Sequence, residues 1–268
     1  MGDLLRRWHD ALVEQLPVAV ATVVEGPRVG SKLLVAPEYH VGTTGNTDLD
    51  KAIVETARGM LEGGRTSTVH FGPTGQRRME DVTVFIQSFA PPPRMYVFGA
   101  IDFAAAVAQI GKFMGYRVTV CDARPVFATR ERFPSADEVV VAWPDEFLKT
   151  AEVDARSVIC VLTHDPRFDV PILKEALNTE AGYIGAMGSR RTHDNRTARL
   201  KEEGITEEDL ARVASPIGLD IGARTPEETA VAIAGEIVAL HTGHSGGRLA
   251  ECSGPIHAPE YGVREKSG

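Results

Sequence analysis

The sequence predicts an α/β protein in which a mainly parallel sheet follows a smaller N-terminal α+β domain. Three observations predict it. From Met95 the chain alternates strand, helix and strand patterns. Its strand-like runs, "ADEVVVAW", "SVICVLT" and "GYIGAMG", are short and almost continuously apolar, as in strands buried on both faces of a parallel sheet. And the three prolines of "APPPR" separate this region from residues 1–90, whose rhythm is different, because consecutive prolines cannot continue a strand ladder.

Taken in order, "VAVATVVEG" and "KLLVAP" are strand-like, and "TDLDKAIVETARGMLEGG" is an amphipathic helix closed by Gly63 and Gly64. "TSTVHF" and "EDVTVFIQSF" return to strand. Residues 1–90 therefore form a small α+β domain, residues 91–94 a proline linker, and residues 95–242 the parallel-sheet domain. In the last of these, "VPILKEALN" and "RRTHDNRTARLKEEG" have helical spacing. A final helix is announced by Thr225-Pro226-Glu227-Glu228: Thr225 caps free amides, Pro226 suits the first turn and Glu228 completes a capping box. The helix runs to about His241. The glycine-rich, aperiodic tail, residues 243–268, is expected to be only partly ordered.

Composition narrows the function. The chain has 268 residues, 43% hydrophobic and 25% charged, with a formal net charge of -8, which fits a soluble globular protein and disfavours a general nucleic-acid binder. No apolar run has the length of a membrane span, and "MGDLLRRWHDALVEQLP" lacks a signal peptide's apolar core, so the protein is expected in the cytoplasm. Cys121, Cys160 and Cys252 lie far apart, which argues against a disulfide framework or zinc cluster; the first two read as buried thiols. A small sheet with one helix covers only one face, and from this a homodimer is expected.

In open α/β sheets, ligands sit outside the carboxyl ends of the strands, so the residues just after each strand are the candidate site. They include Gly99 to Phe103, Asp122 with Arg124, His164 with Asp165, Gly188 to Arg191, and Ser215 to Arg224. The turn Gly99-Ala100-Ile101-Asp102-Phe103-Ala104 is Rossmann-like but lacks the middle glycine that lets a pyrophosphate approach the backbone. Ile101 stands there instead, and Asp102 places a carboxylate where it would cap the helix and compete with a phosphate. Asp122 occupies the place of a ribose-binding acid. The fold signal is thus good, while conventional NAD(P) binding is disfavoured.

After the strand "SVICVLT", His164 suits proton transfer or ligand binding with Asp165 orienting it; alternatively, Asp165 opens an Asx turn before Pro166. In "GAMGSRRTHDNR", Gly188 bends the chain and Ser189 starts a helix whose amides, with Arg190 and Arg191, suit an anion. Two arginines oppose the helix dipole, which a nearby anion would offset. The alternative is that they pair with Asp194 or with Glu202 and Glu203. Arg224 is a further candidate for the same crevice.

These segments, from "VFGAIDFAAAVAQIGKFMGYRVTVCDARP" through "VICVLTHDPRFDVPIL" and "YIGAMGSRRTHDNR" to "SPIGLDIGARTPEETAVAIAGEIV", resemble in order and spacing the C-terminal Rossmann-like domain of the xanthine dehydrogenase accessory protein family (XdhC/CoxI), over about Arg94 to Thr242. The N-terminal part is similar through "VAVATVVEG", "GSKLLVAP" and "TDLDKAIVETARGMLEGGR". The resemblance implies a cytoplasmic protein that binds molybdenum cofactor (molybdopterin) and helps insert it into a molybdenum hydroxylase such as xanthine or carbon monoxide dehydrogenase. Where the family commonly has Gly-Gly-Cys-Val-Glu, this chain reads Thr44-Gly45-Asn46-Thr47-Asp48, and a later cysteine-bearing glycine motif is absent. A partner such as a sulfur-donating enzyme is therefore expected to supply contacts at the metal. The alternatives are an NAD(P)-dependent oxidoreductase and a noncatalytic interaction subunit.

Overall fold

The computed structural model describes residues 2–76, 79, 81–163 and 165–253. The chain divides into two compact units: Met1–Pro91 together with the described residues from Leu249 onward, and Pro92–Arg248.

The first unit holds α1 (Gly2–Val13), β1 (Val18–Glu25), β2 (Lys32–Val35), β3 (His40–Gly42), α2 (Thr47–Glu62), β4 (Ser67–Phe71) and β5 (Val82–Phe89). The strands form an antiparallel sheet ordered β3-β2-β1-β5-β4. Strand alternation decides its two faces. Ala19, Ala21, Val23, Leu33, Val84 and Ile86 meet Ile53, Ala57 and Leu61 of α2 on one side. On the other, Val18, Val20, Leu34 and Phe89 pack with Trp8 and Ala11 of α1, and the Trp8 indole lies 5.6 Å from the Phe89 ring. The sequence pattern does not announce α1, and its presence removes the premise that one sheet face lies bare.

The second unit holds β6 (Arg94–Phe98), α3 (Asp102–Phe113), β7 (Arg117–Asp122), β8 (Glu138–Val141), α4 (Pro144–Leu148), β9 (Val158–Val161), α5 (Pro166–Leu177), β10 (Tyr183–Ala186), α6 (Arg190–Glu202), α7 (Glu207–Leu210), β11 (Val213–Ala214) and α8 (Pro226–Thr242). Its sheet is parallel throughout, ordered β11-β10-β9-β6-β7-β8. β9 and β10 are buried along their whole length because helices cover both faces. α3 and α8 share one cluster with Val97, Val118, Val120 and Cys160, while α4, α5 and α6 share the other with Phe98, Ile159, Val161 and Ile184. The order reverses between β6 and β9, so their carboxyl ends border the crevice where α/β sheets hold ligands.

Candidate functional site

The turn after β6 is built on Gly99, at φ +108; a Cβ there would lie 3.0 Å from the Thr163 amide nitrogen and 2.9 Å from its Cγ2, so only glycine lets the two strand ends approach. Ile101 then occupies the N-cap of α3 without a side-chain cap and packs against the apolar cluster beneath the helix. Asp102 does not cap the helix as expected, because Arg132 Nη2 donates to its carboxylate at 3.0 Å and draws it outward. Arg132 Nη1 also donates to the Ala100 carbonyl, which ties the turn to the loop after β7.

Asp122, buried at the end of β7, accepts from the Ala100 amide at 2.7 Å, from the Arg124 amide and Nε at 2.9 Å each, and from Arg124 Nη2 at 2.8 Å. Burial alone would raise its pKa, but the hydrogen bonds from Arg124 and Ala100 outweigh this and hold it below the ordinary carboxylate value. Both oxygens are thus engaged within the protein, and a ribose hydroxyl would have to displace Arg124.

Asp165 is the N-cap of α5 and accepts from the Arg167 amide at 3.0 Å, which forms the Asx turn. The Arg167 guanidinium beside it lowers its pKa to about 2. Arg124 and Asp165 favour each other's charged forms, which brings the β7 and β9 ends into one electrostatic neighbourhood. His164 lies outside the described residues.

On the far side of β9, Gly188 follows β10 at φ +151, and Ser189 caps α6 by accepting from the Thr192 amide at 3.2 Å. Arg190 and Arg191 are exposed, and neither has an ion pair among the described residues. Glu203, one suggested partner, pairs with Lys174 instead. The first turn of α6 contains no acidic residue. Unpaired guanidinium groups beside free amides suit an anion. Arg224 is exposed, and its amide donates to Glu228 in the capping box of α8.

Sequence reasoning missed Asp169 and Arg196, which build a network beneath this site. Thr163 donates to Asp169 Oδ1, while Arg196 Nη2 donates to Asp169 Oδ2 at 2.8 Å and to the Met187 carbonyl at 2.7 Å. Arg196 Nη1 reaches Ser215 at 3.3 Å. One buried guanidinium therefore joins the ends of β9, β10 and β11. A hollow lined by Arg94, Tyr96, Arg117, Thr119, Glu138 and Glu152 lies at the opposite, amino-terminal edge of the strands; Arg94 pairs there with Glu152 and the hollow borders none of the crevice residues. Among the described residues, no group of three His, Cys, Asp or Glu is placed to hold a metal ion, and no helix is long and apolar enough to cross a membrane.

The fold agrees with that of a solved structure. A xanthine dehydrogenase crystal structure from Bacillus halodurans superposes with a TM-score of 0.53 over 93% of this chain and 98% of that one, at 19% identity, which supports the fold. A Bacillus subtilis protein described as a probable xanthine dehydrogenase subunit is 33% identical over 159 residues, 59% of this chain and 46% of the relative. The Escherichia coli molybdenum cofactor insertion chaperone PaoD is 26% identical over 63% of this chain and 46% of its own length, and the uncharacterized E. coli protein YqeB is 27% identical over 90% and 47%. The chain thus spans about half the length of the curated relatives it matches. Residues 11–72 match the XdhC and CoxI family and residues 95–237 match the XdhC Rossmann domain, so the chain belongs to the XdhC/CoxI family.

Proposed function

We propose that the chain is an accessory protein for the maturation of molybdenum hydroxylases of the xanthine or carbon monoxide dehydrogenase type, and that it binds or delivers molybdenum cofactor without redox turnover of its own. The observation that carries this reading is the exposed Arg190 and Arg191 at the start of α6, beside the crevice and without an ion pair among the described residues. A pterin cofactor with a phosphate needs such anion donors, and the amides after Gly188 complete the set. The name of the relative PaoD, a molybdenum cofactor insertion chaperone, supports the same role. The partners are a molybdenum hydroxylase client and a sulfur-donating enzyme. Asn46 supports the second partner: where the family commonly carries cysteine, its side chain accepts from the Asp48 and Leu49 amides and donates to the Pro73 carbonyl at 3.0 Å, a structural cap that offers no thiolate.

An NAD(P)-dependent oxidoreductase is the second reading, favoured by the strand order, which is that of dinucleotide-binding sheets. Against it stands Asp122, whose oxygens are already engaged by Ala100 and Arg124. The test replaces Arg190 and Arg191 with alanine, verifies folding by circular dichroism, and measures cofactor binding and client activation. Loss of both is expected. Unchanged values would move the anion site elsewhere, and submicromolar NAD or NADP binding to the unaltered protein would favour the oxidoreductase.

A further inference from the structure

Sequence patterns offer the crevice hydrogen-bonding and anion groups but no surface for a ring. The structure supplies one. Trp143, just after β8, is 57% exposed, yet its ring is held 5.2 Å from that of Phe168 in the first turns of α5. Phe127, in the loop after β7, is 40% exposed, with the guanidinium carbons of Arg124 and Arg132 at 4.5 and 5.5 Å from its ring centre. Tryptophan and phenylalanine are highly buried on average, and exposed aromatics that neighbouring groups hold in place mark contact surfaces.

The topology puts these rings at one strand end. Asp122 and Val141 are register partners in β7 and β8, so Arg124 and Trp143, each two residues further on, leave the sheet at the same level. Cys121 Sγ lies 3.6 Å from the Ala142 carbonyl across the same two strand ends. Phe168 follows the Asp165 cap by less than one turn, and Asp165 is electrostatically coupled to Arg124. The loops after β7 and β8 and the start of α5 therefore border one surface. Arg124 is fixed there by donating from Nε and Nη2 to Asp122, which leaves its Nη1 without a partner among the described residues.

We propose that Trp143 and Phe127 form a ring-stacking subsite for a planar heteroaromatic group bearing a phosphate, with Arg124 Nη1 as the donor to the anion. Stacking accepts any flat π-face, and a guanidinium fixed by a carboxylate loses little further entropy when it binds an oxygen. The shared chemistry fits a pterin phosphate or a nucleoside phosphate. The choice of the pterin as the ring rests on the accessory-protein reading.

The test uses the full chain with Trp8→Phe, which leaves Trp143 as the remaining one of two tryptophans; the Trp8 indole nitrogen has no hydrogen-bond partner among the described residues to lose. An oxidised pterin monophosphate, AMP, CMP and their dephosphorylated forms are titrated against Trp143 fluorescence, with calorimetry as a second readout. Saturable quenching is expected, about tenfold tighter for the phosphorylated forms, and weakened about tenfold or more by Phe127→Leu. In calorimetry, Trp143→Ala is expected to lose binding to a similar extent. Tighter binding of the pterin identifies that source, and tighter binding of AMP or CMP identifies a nucleotide moiety. No saturable binding by any probe, or binding unchanged in both variants, overturns the subsite. If client activation then persists in Trp143→Ala, the accessory reading stands without it; if activation falls although no probe binds, the surface is a protein contact and the ring proposal fails. Absence of activation by the unaltered chain defeats the accessory reading on its own terms.

Discussion

Replacing Arg196 with methionine is expected to destabilise the Pro92–Arg248 unit by about 3–5 kcal/mol, the cost of removing one partner from a desolvated ion pair. The Arg196 and Asp169 side chains are only 4% and 3% exposed, so water cannot take the place of the lost partner. The variant also withdraws the donor from the Met187 carbonyl and from Ser215. For a unit of this size each kcal/mol corresponds to about 2–4 °C, so the midpoint should fall by about 6–20 °C. Trp143 fluorescence in a Trp8→Phe background reports the unfolding of this unit separately from the first. Asp169→Leu should cost a similar amount, because it leaves the guanidinium buried with fewer acceptors. The double variant should then cost at least about 2 kcal/mol less than the sum of the two, since neither charge of this pair is left buried without the other, although the Thr163 hydroxyl and Met187 carbonyl still lose partners. A shift below about 3 °C for Arg196→Met, or strict additivity in the double variant, would refute the view that this pair joins the strand ends.

Gly99→Ala should cost about 2 kcal/mol or more, from the positive φ together with the contact against Thr163, and chemical denaturation measures it. Asp122 has a folded-state pKa below its ordinary 3.8, so its contribution is complete above that value and is lost as pH falls through the lower folded value; Asp122→Asn should flatten the acid limb of a stability–pH curve, and an unchanged limb would place the effect on another carboxylate. Burial raises the thiols of Cys121 and Cys160 to about 12, whereas Cys252 is exposed. Mass spectrometry after brief alkylation at neutral pH should find Cys252 modified and the other two intact; labelling of Cys121 at a similar rate would show that the end of β7 opens.

What was legible in the sequence was local. The parallel sheet followed from runs apolar on both faces, and the cap of α8 from Thr225 and Glu228, which the structure joins in a reciprocal capping box. The glycine at 99 and, as one of two readings of Asp165, its Asx turn were readable for the same reason: the groups that require them lie within a few residues or at the adjacent strand end. α1 was not readable, because a short amphipathic segment declares its partner only once a sheet face exists to receive it.

The parallel-sheet architecture was declared by the sequence itself, because strand burial and helix capping are written at spacings of two to four residues. The roles of its polar side chains were decided by tertiary structure. Arg196 reads as one more cation on a highly polar helix, yet it meets Asp169, 27 residues earlier in the chain, inside the core. Asp102 looks like a helix cap until Arg132, 30 residues later, draws its carboxylate outward. Asp122 has the position of a ribose acid, and only the folded turn brings the Ala100 amide and Arg124 onto both its oxygens. The physical reason is that periodicity records which side of each element is buried, whereas the partner of a charge is set by chain closure over tens of residues, which no local pattern encodes.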